Sequence, residues 1–229
     1  MTRPAAIEAL IFDMDGTLVD SEPFAARAWA DWLGQHGHTL RDEVLGQMYG
    51  LRLLEGAAVI RREYGIVLPV EEIAHAQDSL RIAALRGNLK PLPGADVVLA
   101  AGRAAGLRLA LATSSLRHHA DLSLAETAMA GLFDAEVTGE EVERGKPAPD
   151  IFLLAAERLG ASPSACVVFE DSPAGVTAAL AATMRCLWIP GPAHAALDLD
   201  PPPTARLENL GEAIAWLAGA GVVLPGIGA

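Results

Sequence analysis

Apolar and polar positions follow two different rhythms along the chain. Residues 7–12 (IEALIF) form a short apolar run that stops at a pair of acids, the pattern of a buried strand. From Ser21 the period becomes helical. The segment SEPFAARAWADWLGQHG has a Ser cap and an early Pro, and sets Phe24, Ala28 and Trp32 on one face. Helical segments continue to about residue 88, with turn signals at QHGHT, YGI and RGN and no strand pattern between Ser21 and Lys90.

The segment LKPLPGA breaks this rhythm, and short apolar runs then alternate with helical stretches. Residues 95–105 read as a helix, LRLALAT as a strand, DAEVTG as a short strand and KPAPDIFLLAAERLG as a helix. ACVVFED is an apolar strand ending in acids, SPAGVTAALAATM a helix and RCLWIP a further strand. DLDPPPT reads as a linker, LENLGEAIAWLAGAG as a closing helix, and the Gly-rich tail after Gly221 is left unassigned. Such alternation predicts an α/β fold with a parallel sheet covered by helices on both faces. The economical division is a core of residues 1–19 and 91–229 with an all-helical insert of residues 20–90.

Composition narrows the partners. The 229 residues carry 17 Lys and Arg against 29 Asp and Glu, a net charge of −12, with no basic cluster. Nucleic acid and anionic membrane surfaces are therefore poor partners. The two cysteines, Cys166 and Cys186, lie in apolar settings without CxxC spacing, so two reduced thiols and a cytoplasmic setting are expected. The apolar stretch 97–112 is interrupted by Arg103 and Arg108, which argues against a membrane span. The N-terminal segment has one Arg and a short apolar run ending in acids, unlike a signal peptide. A monomer is the default expectation.

The candidate chemistry lies at the strand ends, where parallel sheets bind ligands. These ends are Asp13-Met14-Asp15-Gly16-Thr17, Thr113-Ser114-Ser115, the segment running to Lys146-Pro147, and Glu170-Asp171-Ser172. Singly, each has a plainer reading as a turn, a surface lysine or a helix cap. A calcium loop would need Glu eleven residues after its first Asp, and Phe24 stands there. Jointly, several carboxylates in one place call for a cation, and oxygen donors without His or Cys suit Mg²⁺. Carboxylates, a metal, a lysine and small hydroxyls together are what phosphoryl transfer requires.

The segments DMDGTLVDSE, LATSS, GKPAPDIF and VVFEDSPAGV resemble the four motifs of the haloacid dehalogenase-like (HAD) hydrolases. The resemblance is closest to sugar-phosphate phosphatases and β-phosphoglucomutases, and it runs from Ile7 to about Pro190. It implies a Rossmann-like core with an inserted helical cap, and a small phosphorylated substrate. It further implies Asp13 as nucleophile, Asp15 as general acid and base, and Thr113 and Lys146 as holders of the transferring group. Mg²⁺ would sit on Asp13, the Asp15 carbonyl and Asp171, with Glu170 close by. Amides of Met14 to Gly16 and the hydroxyls of Ser114 and Ser115 would face the phosphate. Arg52, in the stretch YGLRLLEGA, would contact substrate oxygens from the cap, with Glu55 a weaker candidate. Asp15 disfavours dehalogenation. Ala25 stands where the mutases usually carry a hinge His, so a phosphatase is expected over a phosphomutase, with a phosphoglycolate-type phosphatase a further alternative. His118 and His119 read as solvated, and Trp29 and Trp32 as cap core.

Overall fold

The computed structural model describes residues 5–225. Six parallel strands form one sheet: β1 (Ala9–Phe12), β2 (Arg108–Thr113), β3 (Ala135–Thr138), β4 (Cys166–Glu170), β5 (Arg185–Trp188) and β6 (Ala205–Arg206), in the order β3-β2-β1-β4-β5-β6. β1 is central, with Leu10 paired to Leu109 on one side and Val167 on the other. Every residue of β1 and β4 is buried. Their side chains alternate between two apolar layers, as the two-residue period of a strand demands. Leu10, Phe12, Val167 and Phe169 enter one layer; Ala9, Ile11, Cys166 and Val168 enter the other. Phe12 and Phe169 stack with ring centroids 4.5 Å apart.

Around the sheet lie α5 (Ala95–Ala104), α6 (Arg117–Glu126), α7 (Asp150–Leu159), α8 (Pro173–Ala181) and α9 (Ala213–Gly219). Between β1 and α5 come four helices, α1 (Glu22–Gln35), α2 (Asp42–Met48), α3 (Leu53–Tyr64) and α4 (Val70–Leu85). These bury a separate apolar cluster that includes Trp29, Trp32, Leu33, Ile60 and Ile73. The chain leaves the core and returns to it along two adjacent segments. Asp20 donates its amide to Lys90, Leu92 donates to Leu18, and Val19 bridges Pro91. Among the described residues, no helix is long and apolar enough to cross a membrane.

Three local expectations change. The helix expected from Lys146 begins only at Asp150, because Pro147 and Pro149 push the residues before them out of the helical region. The closing helix is shorter than its apolar pattern: residues 210–212 form a 3₁₀ turn, capped by the Asn209 side chain on the Gly211 amide. Gly94 fits tightly beside that turn, since a Cβ there would stand 2.4 Å from the Gly211 nitrogen. β6 is a two-residue edge strand after the proline-rich linker, too short for periodicity to reveal. Residues 226–229 of the unassigned tail lie outside the described residues.

Phe169→Ala removes a fully buried ring from the middle of the sheet and is expected to cost about 3–5 kcal/mol in denaturant unfolding. Val67→Ser, at a position 91% exposed, should stay within about 0.5 kcal/mol of the parent.

Candidate active site

The strand order sets the location. After β1 the chain builds β2 and β3 on one side of it, then crosses to build β4, β5 and β6 on the other. A crevice opens at such a reversal, beyond the carboxyl ends of β1 and β4. Asp13 follows β1 directly, its amide bonded to the Phe169 carbonyl at 3.0 Å, while Glu170 and Asp171 end β4. Two adjacent strands thus deliver three carboxylates to one place.

Lys146 stands between them. Its Nζ lies 2.5 Å from Asp13 Oδ1 and 2.5 Å from Glu170 Oε1, and its side chain has no exposed surface. Burial disfavours the ammonium, but Asp13 and Glu170 outweigh it and hold the lysine protonated well above its usual range. Glu170 is further fixed through Oε2, which accepts the Asp171 amide, the Ser172 amide and the Ser172 hydroxyl. Asp13 and Asp171 remain under strain. Burial raises both pKa values well above normal; for Asp171, Glu170, Asp13 and Glu22 add to the rise, whereas Asp13 gains partial relief from Lys146. Carboxylate oxygens of Asp13, Glu170 and Asp171 approach within 4.8 Å of one another. A compact all-oxygen donor set with unrelieved negative charge fits Mg²⁺.

Asp15 has different company. Its Oδ1 accepts from the Ser21 hydroxyl at 2.5 Å and from Arg81 at 2.7 Å, and its Oδ2 accepts from the Ser115 hydroxyl at 2.6 Å. Burial opposes its ionisation, but Arg81, Ser115 and Ser21 together hold its pKa below the usual carboxylate value. Arg81 comes from α4, across the crevice, and also reaches the Ser115 hydroxyl at 3.3 Å. Nothing in its local sequence singled it out.

The remaining sequence candidates distribute unevenly. Thr113 ends β2 in a buried position, and its Oγ1 accepts the Ser115 amide. Ser114 lines the crevice but donates its hydroxyl to the Gly50 carbonyl. The Met14 side chain is buried in the core, so only its main chain is available to the crevice. Gly16 corrects an expectation: its amide donates to the Val19 carbonyl instead of facing the crevice. What its position requires is conformation. Its φ is +79°, and a Cβ would stand 2.4 Å from Asp171 Oδ2. Arg52 lines the crevice too, but its guanidinium is committed to Glu55 at 2.6 and 2.9 Å and to the carbonyls of Val142 and Glu143. It ties α3 to the loop before Lys146. His119, expected in solvent, is buried and lines the crevice; burial and the nearby Arg81 lower its pKa to about 4. Ala25 also lines the crevice.

Gly175 supports the cluster from below. A Cβ there would stand 1.8–2.2 Å from the Glu170 carboxyl group. Gly175→Ala must displace that group from Lys146, and we expect it to lower both the melting temperature and turnover, with a stability loss of about 1–3 kcal/mol.

Known proteins are similar to this chain in sequence and fold. The sequence profile of the family described as "haloacid dehalogenase-like hydrolase" matches residues 7–183. Hexitol phosphatase A of Escherichia coli (strain K12) is 36% identical over 191 residues, covering 81% of this chain and 84% of that protein. A probable pseudouridine-5'-phosphatase of Drosophila melanogaster is 39% identical over 188 residues, covering 80% and 81%. Among solved structures, a HAD family hydrolase from Deinococcus radiodurans R1, with bound phosphate and sodium, superposes with a TM-score of 0.74 at 31% identity, covering 98% of this chain and 100% of that one. With four motifs in order, their strand-end placement and these matches, the chain belongs to the haloacid dehalogenase-like hydrolase family.

Proposed function

We propose that the protein is a Mg²⁺-dependent phosphatase that hydrolyses a sugar or polyol phosphate through an aspartyl-phosphate on Asp13. The observation that carries this reading is the division of labour between two carboxylates in one crevice. Asp13 lies among Lys146, Glu170 and Asp171, whereas Asp15 lies among Arg81, Ser115 and Ser21. One environment suits a nucleophile beside a cation, the other a group that gives and takes a proton. The phosphatase names of the relatives, hexitol phosphatase among them, support the reaction and the substrate class.

Asp13 attacks phosphorus and Asp15 protonates the departing sugar alkoxide; Asp15 then takes a proton from the water that hydrolyses the aspartyl-phosphate. Lys146 and the Thr113 hydroxyl hold the transferring group, with the amides of Met14 and Asp15 beside it. Asp13, Asp171, the Asp15 carbonyl and Glu170 would hold Mg²⁺, which would supply positive charge beside the nucleophile and the phosphoryl oxygens. Residues 20–90 act as the cap that reads the leaving group. Within the cap, Arg81 takes over the role expected of Arg52, because its contacts face Asp15 while those of Arg52 are spent on protein groups. Ala25 favours hydrolysis over the mutase reaction, since it offers no imidazole at the hinge.

Asp13→Asn should abolish phosphate release from p-nitrophenyl phosphate while the protein still folds; turnover at the parent rate would overthrow the proposal. Asp15→Asn should slow release from a hexitol phosphate by about 10²–10⁴-fold.

Arg81→Ala tests the pairing through pH. Arg81 favours the ionised form of Asp15, so removing it lets burial raise the Asp15 pKa. The acid role needs protonated Asp15, so the alkaline limb of kcat/KM on a hexitol phosphate should move to higher pH. A limb that stays in place would show that Arg81 does not act on this group.

A further inference from the structure

Beyond the crevice, α4 makes a second polar contact with the core. One turn before Arg81, Asp78 meets two histidines at the start of α6. His118 Nε2 lies 3.0 and 3.2 Å from the two Asp78 carboxylate oxygens. His119 Nε2 lies 2.9 Å from Asp78 Oδ1, yet it is buried and makes no hydrogen bond. Two imidazole nitrogens therefore converge on one carboxylate oxygen, and only one of them is satisfied by it. A hydrogen-bonded pair accounts for His118 and leaves the orphaned His119 nitrogen without a reason.

We propose that Asp78, His118 and His119 form a second cation site, which takes a borderline divalent transition ion such as Zn²⁺ and bridges the helical insert to the core. The three donor atoms lie within 4.8 Å of one another, close enough to share one ion. Two imidazoles and a carboxylate suit Zn²⁺, Co²⁺ or Ni²⁺, while the all-oxygen cluster at Asp13 suits Mg²⁺. His118 is about half exposed, which gives the ion a path from solvent and leaves room for a water ligand. Arg81, a nearby cation, is itself paired with Asp15 at 2.7 Å. Asp78 and Arg81 share one face of α4. An ion held there clamps α4 onto α6 beside the crevice, so an occupied site slows any turnover that requires the cap to open.

The test is calorimetric titration of the full chain with Zn²⁺ in millimolar Mg²⁺, which keeps the Asp13 cluster occupied, together with the visible spectrum of the Co²⁺ form. One Zn²⁺ should bind per chain. His118→Ala and Asp78→Ala should each weaken it by about tenfold or more and abolish the Co²⁺ band. Phosphate release should be inhibited by Zn²⁺ in the parent and resist it in His118→Ala, whose uninhibited rate should match the parent. Equal Zn²⁺ affinity in parent and His118→Ala would overturn the proposal. So would binding that rising Mg²⁺ displaces and that Asp78→Ala leaves intact, since that ion sits at the Asp13 cluster. The binding readout does not depend on phosphatase activity, so the two proposals fail separately.

Discussion

A lysine with no exposed surface, held between two buried carboxylates, is the interaction on which the rest of the site depends. Burying any one of Lys146, Asp13 and Glu170 alone would be costly enough to neutralise it. Together they pair, and their geometry comes from three different elements: the end of β1, the end of β4 and the loop before α7. Each must be placed within a few tenths of an ångström for the ammonium to reach both acids. The two-sided burial of β1 and β4, and the glycine beneath Glu170, follow from that demand. Removing the lysine would leave two uncompensated acids, the situation in which a buried ion pair is most destabilising.

The lysine does not balance the crevice completely. Asp171 and Glu22 share the far side, and both are pushed toward protonation by burial and by neighbouring acids. The acids that caught attention in the sequence are therefore still in excess once the fold has assembled them. The proposed divalent cation would relieve what Lys146 leaves, and Arg81 relieves Asp15 from the opposite wall. The charge balance of the crevice thus depends on both the core and the helical insert.

What the sequence disclosed follows from the range of the interactions. The strands of the core were legible because burial on both faces makes them continuous apolar runs, and the acids stood out where those runs stop. The helical insert was legible as a long stretch without any such run. Arg81 was not, because its contact with Asp15 spans 66 positions in sequence and depends on how α4 lies over the crevice. Arg52 was read too simply for a local reason. Glu55, three residues on, competes for its guanidinium, and the carbonyls of Val142 and Glu143 complete the capture. The sequence places His118 and His119 after the TSS loop, where solvated rings are expected; the first turn of α6 instead sends one ring outward and the other into the protein. The β6 strand, two residues long, carries no periodicity at all.

Arg81 also bears on a difficulty that the chemistry raises. Under the proposed reaction Asp15 protonates a sugar alkoxide and should not be held firmly ionised, yet its pKa is depressed by the arginine and two hydroxyls. The same guanidinium comes from the cap and lines the crevice beside Asp15. A substrate that draws Arg81 away from Asp15 removes the strongest support of the carboxylate, and burial, which opposes ionisation, then favours the protonated acid. In the proposed reaction, a leaving group that engaged Arg81 would thereby favour the acid form of Asp15. No change in the core is required, only the exchange of one partner by an arginine that belongs to the cap.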